Sequence, residues 1–110
     1  MLEVLTKRAD FVAATRQARR VHTPAFTLQI RHRGDEAPPR VGYTCSKKVG
    51  NAVARNRAKR RLREIARLIL PTHGRPGWDY VLVGKREATA AREFAALKGD
   101  LIAALARVHA

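Results

Sequence analysis

Nine carboxylates, four histidines and one cysteine are the side chains from which this chain could build proton transfer, metal ligation or nucleophilic attack. A protein nuclease needs metal-binding carboxylates or a general acid and base held close together. The acids Glu3, Asp10, Asp35, Glu36, Glu64, Asp79, Glu87, Glu93 and Asp100 form no paired motif. His22, His32, His73 and His109 show no metal-ligand spacing with Cys45. His32 and His73 read as surface residues in loops, and Cys45 as a small core residue of an alternating strand. Trp78, which opens a strand, reads as core or sheet edge. No residue is expected to be catalytic.

The chemistry that remains is the binding of anions. In SKKVGNAVARNRAKRRLRE, Ser46 to Glu64, stand Lys47, Lys48, Arg55, Arg57, Lys59, Arg60, Arg61 and Arg63, with no acid before Glu64. On a helical wheel of about 100° per residue, Ala54, Ala58, Leu62, Ile65 and Ile69 fill an arc of roughly 80°, the face to be buried. Arg55, Lys59, Arg63 and Arg67 form an i, i+4 ridge beside it, and Asn56, Arg57, Arg60 and Arg61 coat the rest. Solvated helices ordinarily interleave acids and bases, because like charges four apart cost a few tenths of a kcal/mol per pair. A polyanionic partner offsets that cost. The basic region of a leucine zipper has a similar run, but it needs several uninterrupted heptads after it, and Pro71 comes too soon.

The whole composition agrees. Formal charge is +14, from 23 Lys and Arg against 9 Asp and Glu, and hydrophobic residues make up 45% of the 110. Such a chain folds as one modest domain, residues 1–110, and its self-repulsion calls for a polyanion. Nucleic acid comes first and an anionic membrane surface second. No apolar run approaches the roughly 20 residues of a membrane span, and MLEVLTKRADF lacks the apolar core of a secretory signal. One cysteine allows no internal disulfide, which fits a reducing, cytoplasmic location.

Several elements must hold the basic helix in place. Residues 9–19 read as a short helix with Phe11, Ala14 and Ala18 on one side. A short strand is expected near Arg20 to His22. AFTLQIR alternates, with Phe26, Leu28 and Ile30 opposite Thr27, Gln29 and Arg31. RVGYTCS is a further strand placing Val41, Tyr43 and Cys45 together. The long helix should start at an Asn51 N-cap and stop by Leu70, before Pro71. WDYVLVGK reads as a central strand covered on both faces. A last helix from about Thr89 has the seam Phe94, Leu97, Leu101, Leu105 and Val108. The expected fold class is α+β, a single domain of order α-β-β-β-α-β-α with a mixed four-stranded sheet.

The run SKK-x-GNAV followed by RNR-x-KRR, Ser46 to Arg61, resembles the signature of the bacterial ribonuclease P protein family. ADF in the first helix, AFTL, RVG and WDYVLVGK extend that resemblance along nearly the whole chain. It implies a protein subunit of an RNA-catalysed endoribonuclease that removes the 5′ leader of precursor tRNA. It also implies a left-handed βαβ crossover, where generic rules favour the right-handed one. The implied partners are the catalytic RNA, in one copy per protein, and precursor tRNA, with no membrane. No cofactor is implied for the protein alone; Mg2+ is expected for the RNA-containing holoenzyme, and Asp10 and Glu64 are candidates to share a metal ion with RNA phosphates.

By the same resemblance, the catalytic RNA is contacted by Lys47, Lys48, Asn51, Arg55, Asn56, Arg57, Lys59, Arg60, Arg61 and Arg63. The leader lies in a cleft between the first helix and the sheet, lined by Phe11, Arg16, Phe26, Gln29 and Tyr43. Two positions depart from the family pattern: Thr15, where a second aromatic is common, and Ala18, where glycine is. Stacking on an aromatic is worth about 1–3 kcal/mol per base, so leader contact would be weaker here or carried more by Arg16, Arg19 and Arg20. A structural RNA-binding module such as a ribosomal protein shares the charge and shape. A self-sufficient nuclease and a membrane-surface protein are the remaining readings.

Overall fold

The computed structural model describes residues 2–5, 7–16, 19–45, 50–85 and 87–109, without the side chains of Phe11, Ala14, Thr15 and Arg16. The elements run β1 (Glu3–Val4), α1 (Arg8–Arg16), β2 (Arg19–His22), β3 (Phe26–His32), β4 (Arg40–Thr44), α2 (Ala52–His73), β5 (Trp78–Gly84), α3 (Ala88–Ala91) and α4 (Phe94–Val108). They form an α+β fold around one mixed sheet of order β1-β4-β5-β3-β2. β1, β4 and β5 are parallel neighbours, while β3 runs antiparallel to both β5 and β2. α2 therefore connects two adjacent parallel strands, β4 and β5.

The sheet has five strands rather than four. β1 is a two-residue edge strand, too short to show alternation, and it is fastened by Glu3 N–H to Pro39 O at 2.9 Å and Leu5 N–H to Val41 O at 2.7 Å. α2 runs three residues past Leu70 and carries Pro71 in its last turn. A proline removes one N–H from a helix, but here it lies at the exposed end, and Gly74 N–H closes the turn on Leu70 O at 2.8 Å. The last expected helix is two, broken at Arg92, where the backbone turns extended.

Period-two alternation decides what each sheet face carries. Phe26, Leu28 and Ile30 of β3, Val41 of β4 and Tyr80 and Leu82 of β5 point one way. They meet Leu62, Ile65, Ala66, Ile69 and Leu70 of α2 and Leu97, Leu101, Leu105 and Val108 of α4 in the main core. Full burial of each such side chain contributes about 1.5–3 kcal/mol. On the other face Leu5, Val81 and Val83 form a small second cluster, and there α1 crosses β3 and β5.

Candidate nucleic-acid interface

α2 buries the stripe its periodicity calls for. Ala58, Leu62, Ile65, Ala66, Ile69 and Leu70 are buried, with Ala54 half-buried beside them. Asn51 caps the helix, its Oδ1 accepting from Ala54 N–H at 3.0 Å. Gly50 turns the chain into that cap at φ +140°, and a Cβ there would stand 2.9 Å from the Cβ of Ala54. The backbone conformation and the close approach both require glycine. Lys47 and Lys48, just upstream, lie outside the described residues.

Asn56, Arg57, Arg60 and Arg63 are exposed on the opposite side, and Arg55, Lys59 and Arg61 are half-buried at its margins. The helix holds one ion pair among the described residues, Arg67 with Glu64. Arg55, Arg57, Lys59, Arg60 and Arg63 have no acid within 4.0 Å among them. Among the described residues this surface is cation without counter-ion, about two and a half turns long from Arg55 to Arg63, and its natural complement is a run of phosphates.

Arg61 stands apart. Its Nη2 donates to the carbonyl of Arg92 at the α3–α4 joint, and its guanidinium lies 5.8 Å from the centre of the Phe94 ring. Arg61 thus ties α2 to the C-terminal helices. Arg63 lies 5.9 Å from the centre of the Tyr43 ring, which puts Tyr43 beside the basic face.

The expected cleft needs correction. Phe26 is fully buried in the main core and offers no surface to a nucleic acid. Tyr43 also points to the α2 side, because Gly42 and Thr44 take the opposite face of β4. Of the three strand residues expected to line the cleft, only Gln29 faces α1, and it is 8% exposed. A strand with period two cannot send Phe26 and Gln29 to the same side. Phe11 and Arg16 lie on α1, their side chains outside the described set. The half-exposed residues of the α1-facing sheet are Thr27, Arg31, Arg40, Thr44 and Val83, flanked by exposed Arg20 and His22 of β2.

A charge network that the sequence reading missed anchors this face. Asp79 of β5 is fully buried and accepts from Arg33 Nη1 at 2.6 Å, Arg40 Nε at 2.8 Å and Arg40 Nη2 at 2.9 Å. Arg33 also grips Asp35 and the carbonyls of Ala37 and Pro38. Arg40 reaches Asp10 of α1 at 3.3 Å. Burial alone would raise the Asp79 carboxyl, but the hydrogen bonds from Arg40 and Arg33 outweigh it and hold it below its ordinary value. A carboxylate inside the apolar run WDYVLVGK was the available signal, since a buried acid must find partners.

The groups considered for catalysis are engaged structurally. Asp10 and Glu64 are paired with Arg40 and Arg67. His32 and His73 end β3 and α2 rather than lying in loops; His32 stacks on Trp78 at 4.6 Å, and His73 Nδ1 lies 3.2 Å from Ile69 O. His109 Nε2 meets the Tyr80 hydroxyl at 2.8 Å. Cys45 packs against the core, where burial pushes its thiol up despite nearby Lys59 and Arg55. Among the described residues, no three of His, Cys, Asp and Glu gather to hold a metal ion.

Comparison with known proteins identifies the family of the chain. The model of the family described as Ribonuclease P matches residues 2–109. The chain is 59% identical to the ribonuclease P protein component of Ruegeria pomeroyi, over 99% of this chain and 88% of that protein. It is 51% identical to that of Caulobacter vibrioides, over 94% of this chain and 68% of that protein. The RNase P protein from Thermotoga maritima superposes with a TM-score of 0.79 at 26% identity, covering 96% of each chain. That of Staphylococcus aureus gives 0.77 at 25% identity, covering 96% of this chain and 94% of the other. Family match, close relatives and superposable fold agree over nearly the whole length: the chain belongs to the ribonuclease P protein family.

Proposed function

We propose that this chain binds the catalytic RNA of a bacterial ribonuclease P through the exposed face of α2 and assists removal of the 5′ leader from precursor tRNA. As a member of the family it is the protein part of an endoribonuclease that acts in tRNA 5′ processing with the ribonuclease P RNA. The observation that carries the RNA-binding assignment is the row Arg57, Arg60 and Arg63 with Asn56, exposed and in no ion pair among the described residues, on a helix fixed by its opposite side to the core. Cations there offset the repulsion between the phosphates of catalytic RNA and substrate, and Mg2+ serves the assembled ribonucleoprotein. In this reading the leader follows the α1-facing side of the sheet, with Phe11 and Arg16 contributing from α1. One protein joins one RNA in the cytoplasm. No helix among the described residues is long and apolar enough to cross a membrane.

The test is cleavage of precursor tRNA at low Mg2+ by a bacterial ribonuclease P RNA, with and without the protein. Stimulation is expected; its absence, with stable co-sedimentation on ribosomes, would favour a ribosomal RNA-binding module instead. Cleavage by the protein alone would overturn the assignment of catalysis to RNA. Within the complex, Arg57→Ala should weaken assembly with the RNA, whereas Phe11→Ala should lower affinity for precursor more than for mature tRNA.

A further inference from the structure

Between the first turns of α2 and the start of α3 lies an open pocket of about 460 Å³. That is within the range of about 300–1,000 Å³ in which pockets hold small organic groups. Val53, Ala54 and Ala58 line it from α2, and Ala90 from α3. Three of these four are alanines, whose single methyls leave depth for a planar ring. Val53 is 77% exposed, the most exposed large hydrophobic side chain among the described residues. A lone surface valine is ordinary, but this one stands at the wall of a cavity.

The charges around the pocket are arranged unevenly. Arg57 lines it and is also the first arginine of the exposed row on α2, in no ion pair among the described residues. Lys85 lines it too, but its ammonium donates to the carbonyl of Thr23 at 2.5 Å and is held away from other work. On the α3 side stands exposed Glu87, with φ at +60°, a conformation that few residues other than glycine adopt. An ionised carboxylate only accepts hydrogen bonds. It disfavours a phosphate on its own side of the pocket and suits a ring that carries N–H donors.

We infer that this pocket takes the base of one unpaired nucleotide of the RNA partner, with that nucleotide's phosphate on Arg57. It rests on the reading that α2 meets RNA, and adds to it a place where the protein touches a base. The ring lies against Val53 and the alanines, and its N–H groups face Glu87. Arg57 belongs both to the pocket and to the cationic row, so base site and phosphate track form one continuous surface. The row reads backbone charge alone. The pocket selects an unstacked nucleotide, since a base inside a duplex cannot enter it.

The experiment measures affinity of the full chain for a bacterial ribonuclease P RNA across a salt series, with base-specific chemical probing of the RNA. Val53→Ala should weaken binding by about three- to tenfold, the scale of two methyl groups, with the salt slope unchanged. Its melting temperature should hold or rise, because alanine is the better helix former. Ala90→Leu, which fills the pocket, should weaken binding similarly. In that variant one unpaired base that the native chain protects should become reactive again, while the other protections persist. Native affinity and native protections in both variants, alongside weaker binding by Arg57→Ala, would overturn the pocket and leave the cationic face standing. A loss in Val53→Ala with a lower salt slope would mean a displaced cationic face, and would also overturn it. If Arg57→Ala bound normally as well, both readings would fall.

Discussion

Two surfaces of this protein are rich in arginine, and they use it differently. On α2, Arg57, Arg60 and Arg63 are exposed and in no ion pair among the described residues. On the α1-facing side of the sheet, Arg33 and Arg40 are bound into carboxylates and carbonyls around a fully buried Asp79. The first set is available to phosphate and the second holds the fold together. A count of cations along the chain cannot separate them. What separates them is whether each guanidinium already has its acceptors, and that depends on contacts such as Arg33 to Asp79, 46 residues apart in sequence.

The sharpest way to break the contrast is at Asp79. Asp79→Ala leaves Arg33 and Arg40 without their common counter-ion, and loss of one partner from a buried pair typically costs about 3–5 kcal/mol. Chemical denaturation should report a loss of that order, large for a domain of this size, with no specific loss of RNA affinity in the folded fraction. The opposite result belongs to α2. Arg57→Ala or Arg60→Ala should each reduce the salt slope of RNA binding by about 1 and weaken all RNA partners alike. Their thermal stability should stay the same or rise slightly as like-charge repulsion is relieved.

Arg61→Ala tests the boundary between the two classes. Arg61 belongs to the basic run by sequence but is committed to Arg92 and Phe94. It should cost about 1–3 kcal/mol of stability and change the salt slope less than Arg60→Ala does. The smallest effect is the response to acid. The native Asp79 carboxyl sits below its ordinary value because Arg40 and Arg33 outweigh burial, so its contribution is complete above the unfolded value near 3.9. It is lost as pH falls through the lower native value. Denaturation midpoints should therefore drop below about pH 4, and less steeply in Asp79→Ala than in the native chain.

Much of the fold was legible because its signals were local. The wheel of α2 identified the buried stripe, and alternation in AFTLQIR placed Phe26, Leu28 and Ile30 together, as the core shows. The N-cap at Asn51 was equally local. The errors arose where a local rule met a wider context. Pro71 marked a stop that the exposed final turn did not need, and β1 was too short to show any period. The cleft was the weakest part, since the family resemblance put Phe26 and Tyr43 beside Gln29 although their strands send them to opposite faces. The role of Asp79 required knowing which strands become neighbours, and no single segment carries that information.

The link from Arg61 to Arg92 and Phe94 has one more consequence. A helix packed on a sheet by alanine and leucine can roll about its own axis, and one residue's worth of roll is about 100°. Arg61 acts as an index pin against that roll, gripping the α3–α4 joint at the margin of the cationic face. Arg57, Arg60 and Arg63 therefore meet an incoming RNA with their azimuth already set, so the ordering cost of aligning them falls on folding rather than on binding.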